Sequence, residues 1–175
     1  RLYIEAAYAS EVENNLEKKL RILKEIAQKY PKEKHVHYEL ARYHKAQGMF
    51  DQAVLEYNKA LELDPNFGYA LNELAYAYSD IGNYEKAMEC FEKYAALLPG
   101  DANPIDSMAE LYFRMGKLDE AIAKYKEALK LKPDFLASNI GLTYVYALKE
   151  DYEQALKFID QLIAIAPSAS AKGMG

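Results

Sequence analysis

The sequence predicts an all-α chain, a solenoid of about five stacked antiparallel helix pairs built on a 34-residue repeat. Three observations predict it. Pro31, Pro65, Pro99, Pro133 and Pro167 are spaced 34 residues apart each time, and Pro104 alone stands outside the series. Large apolar and aromatic residues recur at the spacing of one helix face. The alternating pattern of a half-buried strand occurs nowhere.

Other residues keep the phase of the prolines. Gly48, Gly82 and Gly116 lie 17 residues before theirs, where a left-handed turn between the two helices of a pair needs a residue without Cβ. Ala53, Ala87, Ala121 and Ala155 lie 12 before, small enough for two helices to approach. Tyr57, Phe91, Tyr125 and Ile159 lie 8 before, and Leu40, Leu74, Met108 and Leu142 lie 25 before. These large groups fill the seams. Tyr78, Tyr112 and Tyr146 lie 21 before, with His44 in the same place one copy earlier. Each proline ends the second helix of its pair, because it lacks an N–H and pushes its predecessor out of helical geometry.

On these residues the chain resembles the tetratricopeptide repeat family. The family pattern is read as Leu40-Ala41, His44, Gly48, Ala53, Tyr57, Ala60 and Pro65. It is read again as Leu74-Ala75, Tyr78, Gly82, Ala87, Phe91 and Pro99, and as Met108-Ala109, Tyr112, Gly116, Ala121, Tyr125, Ala128 and Pro133. A further copy has Leu142-Thr143, Tyr146, Ala155, Ile159 and Pro167. The resemblance covers nearly the whole chain and implies a right-handed superhelix. The expected divisions are 1–33 (a degenerate repeat), 34–67, 68–101, 102–135, 136–167 and a tail of 168–175. Tyr94 replaces a small Ala, Glu150 replaces the linker glycine, and Lys19 stands where the first segment would carry Ala.

The two ends differ. The helix expected from Leu16 to Tyr30 is dense in charge, as an end cap should be. The stretch Ala155 to Ala166 carries only Lys157 and Asp160 as charges, so the last repeat is expected to leave an apolar face that asks for cover.

Composition removes some function classes. Net charge is −5, and the basic cluster Lys18, Lys19, Arg21 and Lys24 is interleaved with Glu17 and Glu25. No basic run would neutralise a series of phosphates, so no nucleic-acid partner is expected. Half of the residues are apolar, which is enough for a sizeable core. No apolar run has the length of a membrane span, and no membrane insertion is expected. The single cysteine, Cys90, excludes an internal disulfide and favours a cytoplasmic setting. No signal peptide is visible, and Arg1 is not a natural start, so the chain is expected to be cut from a longer protein.

The resemblance implies that the first helix of each pair lines a concave groove. Carried over position by position, it places Tyr38 there from one copy and Tyr69, Asn72, Glu73 and Tyr76 from the next. It adds Asp106, Glu110 and Phe113, and then Tyr144. The middle of that groove reads as acidic and aromatic, with Glu73, Asp80, Asp106 and Glu110 against Arg114, and its C-terminal part as apolar. The expected partner is a protein or peptide segment with basic residues and apolar anchors. The basic clamp by which some relatives hold a peptide carboxylate is missing. Its places carry Tyr38 and Arg42, Glu73, and Asn103 and Ser107. A micromolar complex with an acidic C-terminal tail would overturn that expectation.

No constellation of catalytic or cofactor-binding residues emerges. His35, His37 and His44 do not complete a four-ligand metal set, and His37 and His44 fall at seam positions. Asp106 and Glu110 are neighbours on one helix, read as a solvated face. There is no phosphate-cradling glycine loop and no HExxH. The sequence therefore predicts a non-catalytic interaction module with no cofactor. The alternatives are self-assembly or intrachain packing through the apolar C-terminal repeat, or a regulatory arm of a larger signalling enzyme.

Overall fold

The computed structural model describes residues 2–172, with side chains described over 2–165. Among these residues there are ten helices and no strand. The chain divides into two compact units, 1–90 and 91–175.

The first unit holds α1 (Leu2–Glu11), α2 (Leu16–Lys29), α3 (Lys34–Ala46), α4 (Phe50–Leu63), α5 (Gly68–Asp80) and the start of α6 (Tyr84–Leu97). Side-chain caps set the starts of α2 and α3. Asn15 accepts from the Lys18 N–H at 2.9 Å, and Glu33 from the His35 N–H at 3.2 Å. At the end of α4, Asp64 precedes Pro65 and takes extended backbone, φ −146° and ψ 96°. Its carboxylate accepts from the Asn66 N–H at 3.0 Å, and the buried Phe67 follows. One core cluster joins Ala6 and Ala9 of α1 to Ile22, Leu23 and Ile26 of α2 and to Val36 and Leu40 of α3. Ala53, Tyr57 and Ala60 are fully buried on α4. The charged α2 is accompanied by an α1 that leaves Ile4 and Tyr8 exposed, with Val12 exposed just past its end.

The second unit holds the rest of α6, then α7 (Ala102–Arg114), α8 (Leu118–Leu131), α9 (Leu136–Leu148) and α10 (Tyr152–Lys172). Its core joins Ala109, Ala121 and Tyr125 to Leu142, Val145, Tyr146, Ala155 and Phe158. Gly116 closes α7 at φ +72°, with its N–H on Phe113 O and the Lys117 N–H on Tyr112 O, both at 2.9 Å. Glu150 closes α9 with the same pair of bonds at φ +60°, a backbone that opposes any side chain. Tyr94 lies buried in α6 because its hydroxyl has a partner: Asn103 Nδ2 donates to it at 3.0 Å.

Two expectations about the last helix are corrected. The seam position goes to Phe158, not Ile159: Phe158 stacks on Tyr146 at 5.8 Å and 9°, while Ile159 is exposed. Nor does α10 end at position 167; its backbone stays helical to Lys172. In the earlier joints Pro65 and Pro133 are followed by Asn66-Phe67 and Asp134-Phe135, which turn the chain into the next helix. Ser168-Ala169 has no such turn signal, and Ala169, Ala171 and Lys172 favour helix. The rest of the expected tail, 173–175, lies outside the described residues, as does Arg1.

Candidate binding faces of the two units

In the first unit, α3 and α5 carry the expected contact residues. Tyr38 is half-buried, 5.2 Å from the ring of Phe67 and 5.9 Å from that of Tyr57. Arg42 Cζ lies 5.8 Å from the Tyr38 ring centre. Burial, and after it the charge of Glu73, push the Tyr38 hydroxyl above its ordinary pKa. Tyr69, edge-on to Phe67 at 6.3 Å, is 72 % exposed. Asn72, Glu73 and Tyr76 are half-buried beside it.

Glu73 is not the open charge that the sequence suggested. Lys45 Nζ, from the preceding helix pair, donates to it at 2.9 Å and lies 5.2 Å over the Tyr76 ring. The histidines are also engaged in the fold. His37 Nδ1 meets Glu56 Oε2 at 2.7 Å, and its Nε2 meets Pro31 O at 3.3 Å. Burial opposes the Glu56 charge, but hydrogen bonds from His37 and Lys59 outweigh it and hold that carboxyl below its usual pKa. His44 is held neutral-leaning, its pKa lowered first by burial. Among the described residues, no three His, Cys, Asp or Glu gather as a metal site.

In the second unit, α7 and α9 carry the remaining four. Asp106 does not lie on a solvated face. It is buried and accepts from Ser138 Oγ of α9 at 2.6 Å. Burial raises its pKa to about 6 against the Ser138 bond, and Glu110 adds a smaller push upward. Glu110 accepts from Arg114 Nη2 at 2.9 Å and Nε at 3.1 Å, one turn on. Phe113 packs in part against the Tyr125–Leu142 cluster. Tyr144 stands 63 % exposed. The acidic character read from the sequence is thus largely satisfied within each unit. What it missed was the partner of Glu73 and of Asp106, because Lys45 and Ser138 sit 28 and 32 residues away in the chain.

Three family models match the chain, each described as tetratricopeptide repeat, over residues 35–67, 56–89 and 112–174. The chain is 32 % identical over 100 residues to Superkiller complex protein 3 of Mus musculus, covering 57 % of this chain and 6 % of that protein. It is 28 % identical over 121 residues to anaphase-promoting complex subunit 3 of Schizosaccharomyces pombe, covering 68 % of this chain and 18 % of that one. It therefore spans less than a fifth of the length of these relatives. Among solved structures, MamA 41-end from Desulfovibrio magneticus RS-1 superposes with a TM-score of 0.76 at 22 % identity, covering 95 % of this chain and 94 % of that one. The fold is that of an all-α solenoid of helix pairs, the class of interaction and scaffold modules. The chain belongs to the tetratricopeptide repeat family.

Proposed function

We propose that the chain is a non-catalytic interaction module in which the first-helix faces of each unit hold a segment of a protein partner. The observation that carries this reading is the uncovered aromatic surface: Tyr69 on α5 and Tyr144 on α9 are largely exposed where a merely soluble helix face needs only polar groups. In the first unit, Tyr38, Asn72, Glu73 and Tyr76 complete the contact surface, and in the second Glu110 and Phe113, with Asp106 holding α7 to α9 beneath them. The partner segment is basic and apolar. Its apolar side chains meet the tyrosines and its cations compete with Lys45 and Arg114 for Glu73 and Glu110. That two relatives are named as members of complexes supports a protein partner.

A peptide-array screen with residues 1–175 at two salt concentrations tests this reading, with Tyr69→Ala and Tyr144→Ala alongside. Hits on basic-apolar peptides that either variant loses support it. Both variants binding every hit as the parent does would overturn it.

A second reading has an observation of its own. On α10, Tyr152, Leu156, Ile159 and Ile163 are exposed at helical spacing. The residues 34 earlier, Leu118, Ile122, Tyr125 and Leu129 of α8, belong to or pack against the core that includes α9. The exposed stripe thus matches the face that α8 packs against α9, and assembly through it is the alternative role.

A further inference from the structure

In the first unit the backbones of α3 and α5 approach each other, but between α1 and α3 a cavity of about 670 Å³ opens instead. Lys19, standing where an Ala would let the helices close, forms part of its wall. We propose that this cavity receives one basic side chain, an arginine or a lysine, from a partner segment; the proposal rests on the reading of the chain as an interaction module and names a specific anchor for it.

Ala6 and Ala7 of α1 and Leu23 of α2 give the lining a small apolar part, so the methylene stem of a long side chain fits against it. Tyr3 and Tyr38 supply aromatic walls. Arg42 of the chain itself already lies over Tyr38, which leaves the Tyr3 ring for an incoming cation.

The charges favour a cation over an anion. Lys19 and Arg42 both reach Glu39, at 3.5 and 3.0 Å, so the two cations of the wall share a carboxylate already in place. Glu11 and Glu33 also line the cavity, and among the described residues neither has a cation within ion-pair distance. Glu33 spends Oε1 on the His35 N–H, and among the described residues its other oxygen makes no such bond. The negative end of α1 adds to this, for its last turn carries Glu11 and no basic residue. The Tyr3 hydroxyl is pushed up to about 12, by burial first and then by Glu33 and Glu39, in keeping with a negative potential in the cavity.

The test is an NMR titration of residues 1–175 with N-acetyl-arginine methylamide, its neutral citrulline counterpart and N-acetyl-glutamate methylamide. Saturable shifts confined to the amides of Ala6, Ala7, Ser10 and Glu33, about tenfold weaker for the citrulline probe, are expected. Glu33→Gln, which keeps the helix cap, should weaken the arginine probe several-fold, while Glu62→Gln on the exposed side of α4 leaves it unchanged. Preference for the glutamate probe, equal binding of citrulline, or arginine shifts scattered over the surface would each overturn the proposal. Its failure is separable from that of the module reading. Array hits that survive Glu33→Gln and need no basic residue sink the cavity alone. A blank array with localised arginine shifts sinks the module reading alone.

Discussion

Gly141 of α9 stands over the ring of Tyr125 of α8 so closely that a Cβ on it would meet Cζ of the ring at 2.3 Å, far inside van der Waals contact. Tyr125 is 4 % exposed and shares a core cluster with Ala109, Ala121 and Leu142, so moving its ring disturbs that core. Replacing a glycine inside a helix by alanine ordinarily gains about 1 kcal/mol. Here overpacking, worth about 1–3 kcal/mol, opposes the gain and exceeds it. Gly141→Ala should lose stability in urea denaturation, and Gly141→Ala combined with Tyr125→Leu should recover part of the loss. A stabilised single variant would mean that the ring yields freely.

Asp106 and Ser138 tie α7 to α9 at a cost that depends on pH. The Asp106 pKa rises from 3.8 to about 6 on folding, so the folded state favours the protonated acid. The stability this contributes is fully present below pH 3.8 and is lost as pH rises through about 6. Above that, ionised Asp106 is less favourable by roughly 2–3 kcal/mol. Asp106→Asn, whose amide oxygen still accepts from Ser138, should match the parent at pH 4 and exceed it by a few kcal/mol at pH 8. Melting curves at the two pH values check this, and parallel curves would show that the carboxyl does not titrate there.

What could be read in the sequence was what repeats. Proline, glycine and small alanine recur because each satisfies a local backbone or packing demand, and that demand is the same in every copy. What differed between copies was harder to read. Nothing in the repeat pattern marks Gly141 until Tyr125 is seen beneath it. Asp106 looks solvated until Ser138 is placed against it. Ile159 holds the phase of the seam, but Phe158, one residue away, is larger and reaches Tyr146. The cavity behind Lys19 arises where the pattern fails, and a failed pattern predicts only that packing is absent.

Glu150 occupies the backbone that glycine holds in the matching turn at Gly116, at φ +60° against +72°. A side chain in the left-handed region costs about 1–2 kcal/mol, and glycine gives some of that back as entropy of the unfolded chain. Glu150→Gly should therefore raise stability by about 0.5–1 kcal/mol, read as a melting temperature a few degrees higher. No gain would mean that Glu150 makes an interaction whose loss offsets the relief.

The apolar stripe of α10 yields the sharpest contrast between the two functional readings. Leu156 and Ile163 are 59 % and 63 % exposed, so neither holds the unit together. A charge at either position leaves folding within about 0.5 kcal/mol of the parent, as substitutions of exposed residues usually do. The same charge would be strongly unfavourable in a stacked, dehydrated interface. If the chain assembles through this face, sedimentation should show a mass that grows with concentration in the parent and stays that of one chain in Leu156→Glu with Ile163→Lys. A parent that remains one chain at the highest concentrations would remove self-stacking, and a variant that assembles as the parent does would place the contact elsewhere. Peptide binding provides the counterpart: the doubly charged variant should keep every array hit that Tyr69→Ala or Tyr144→Ala loses, because the stripe and those tyrosines lie on different helices.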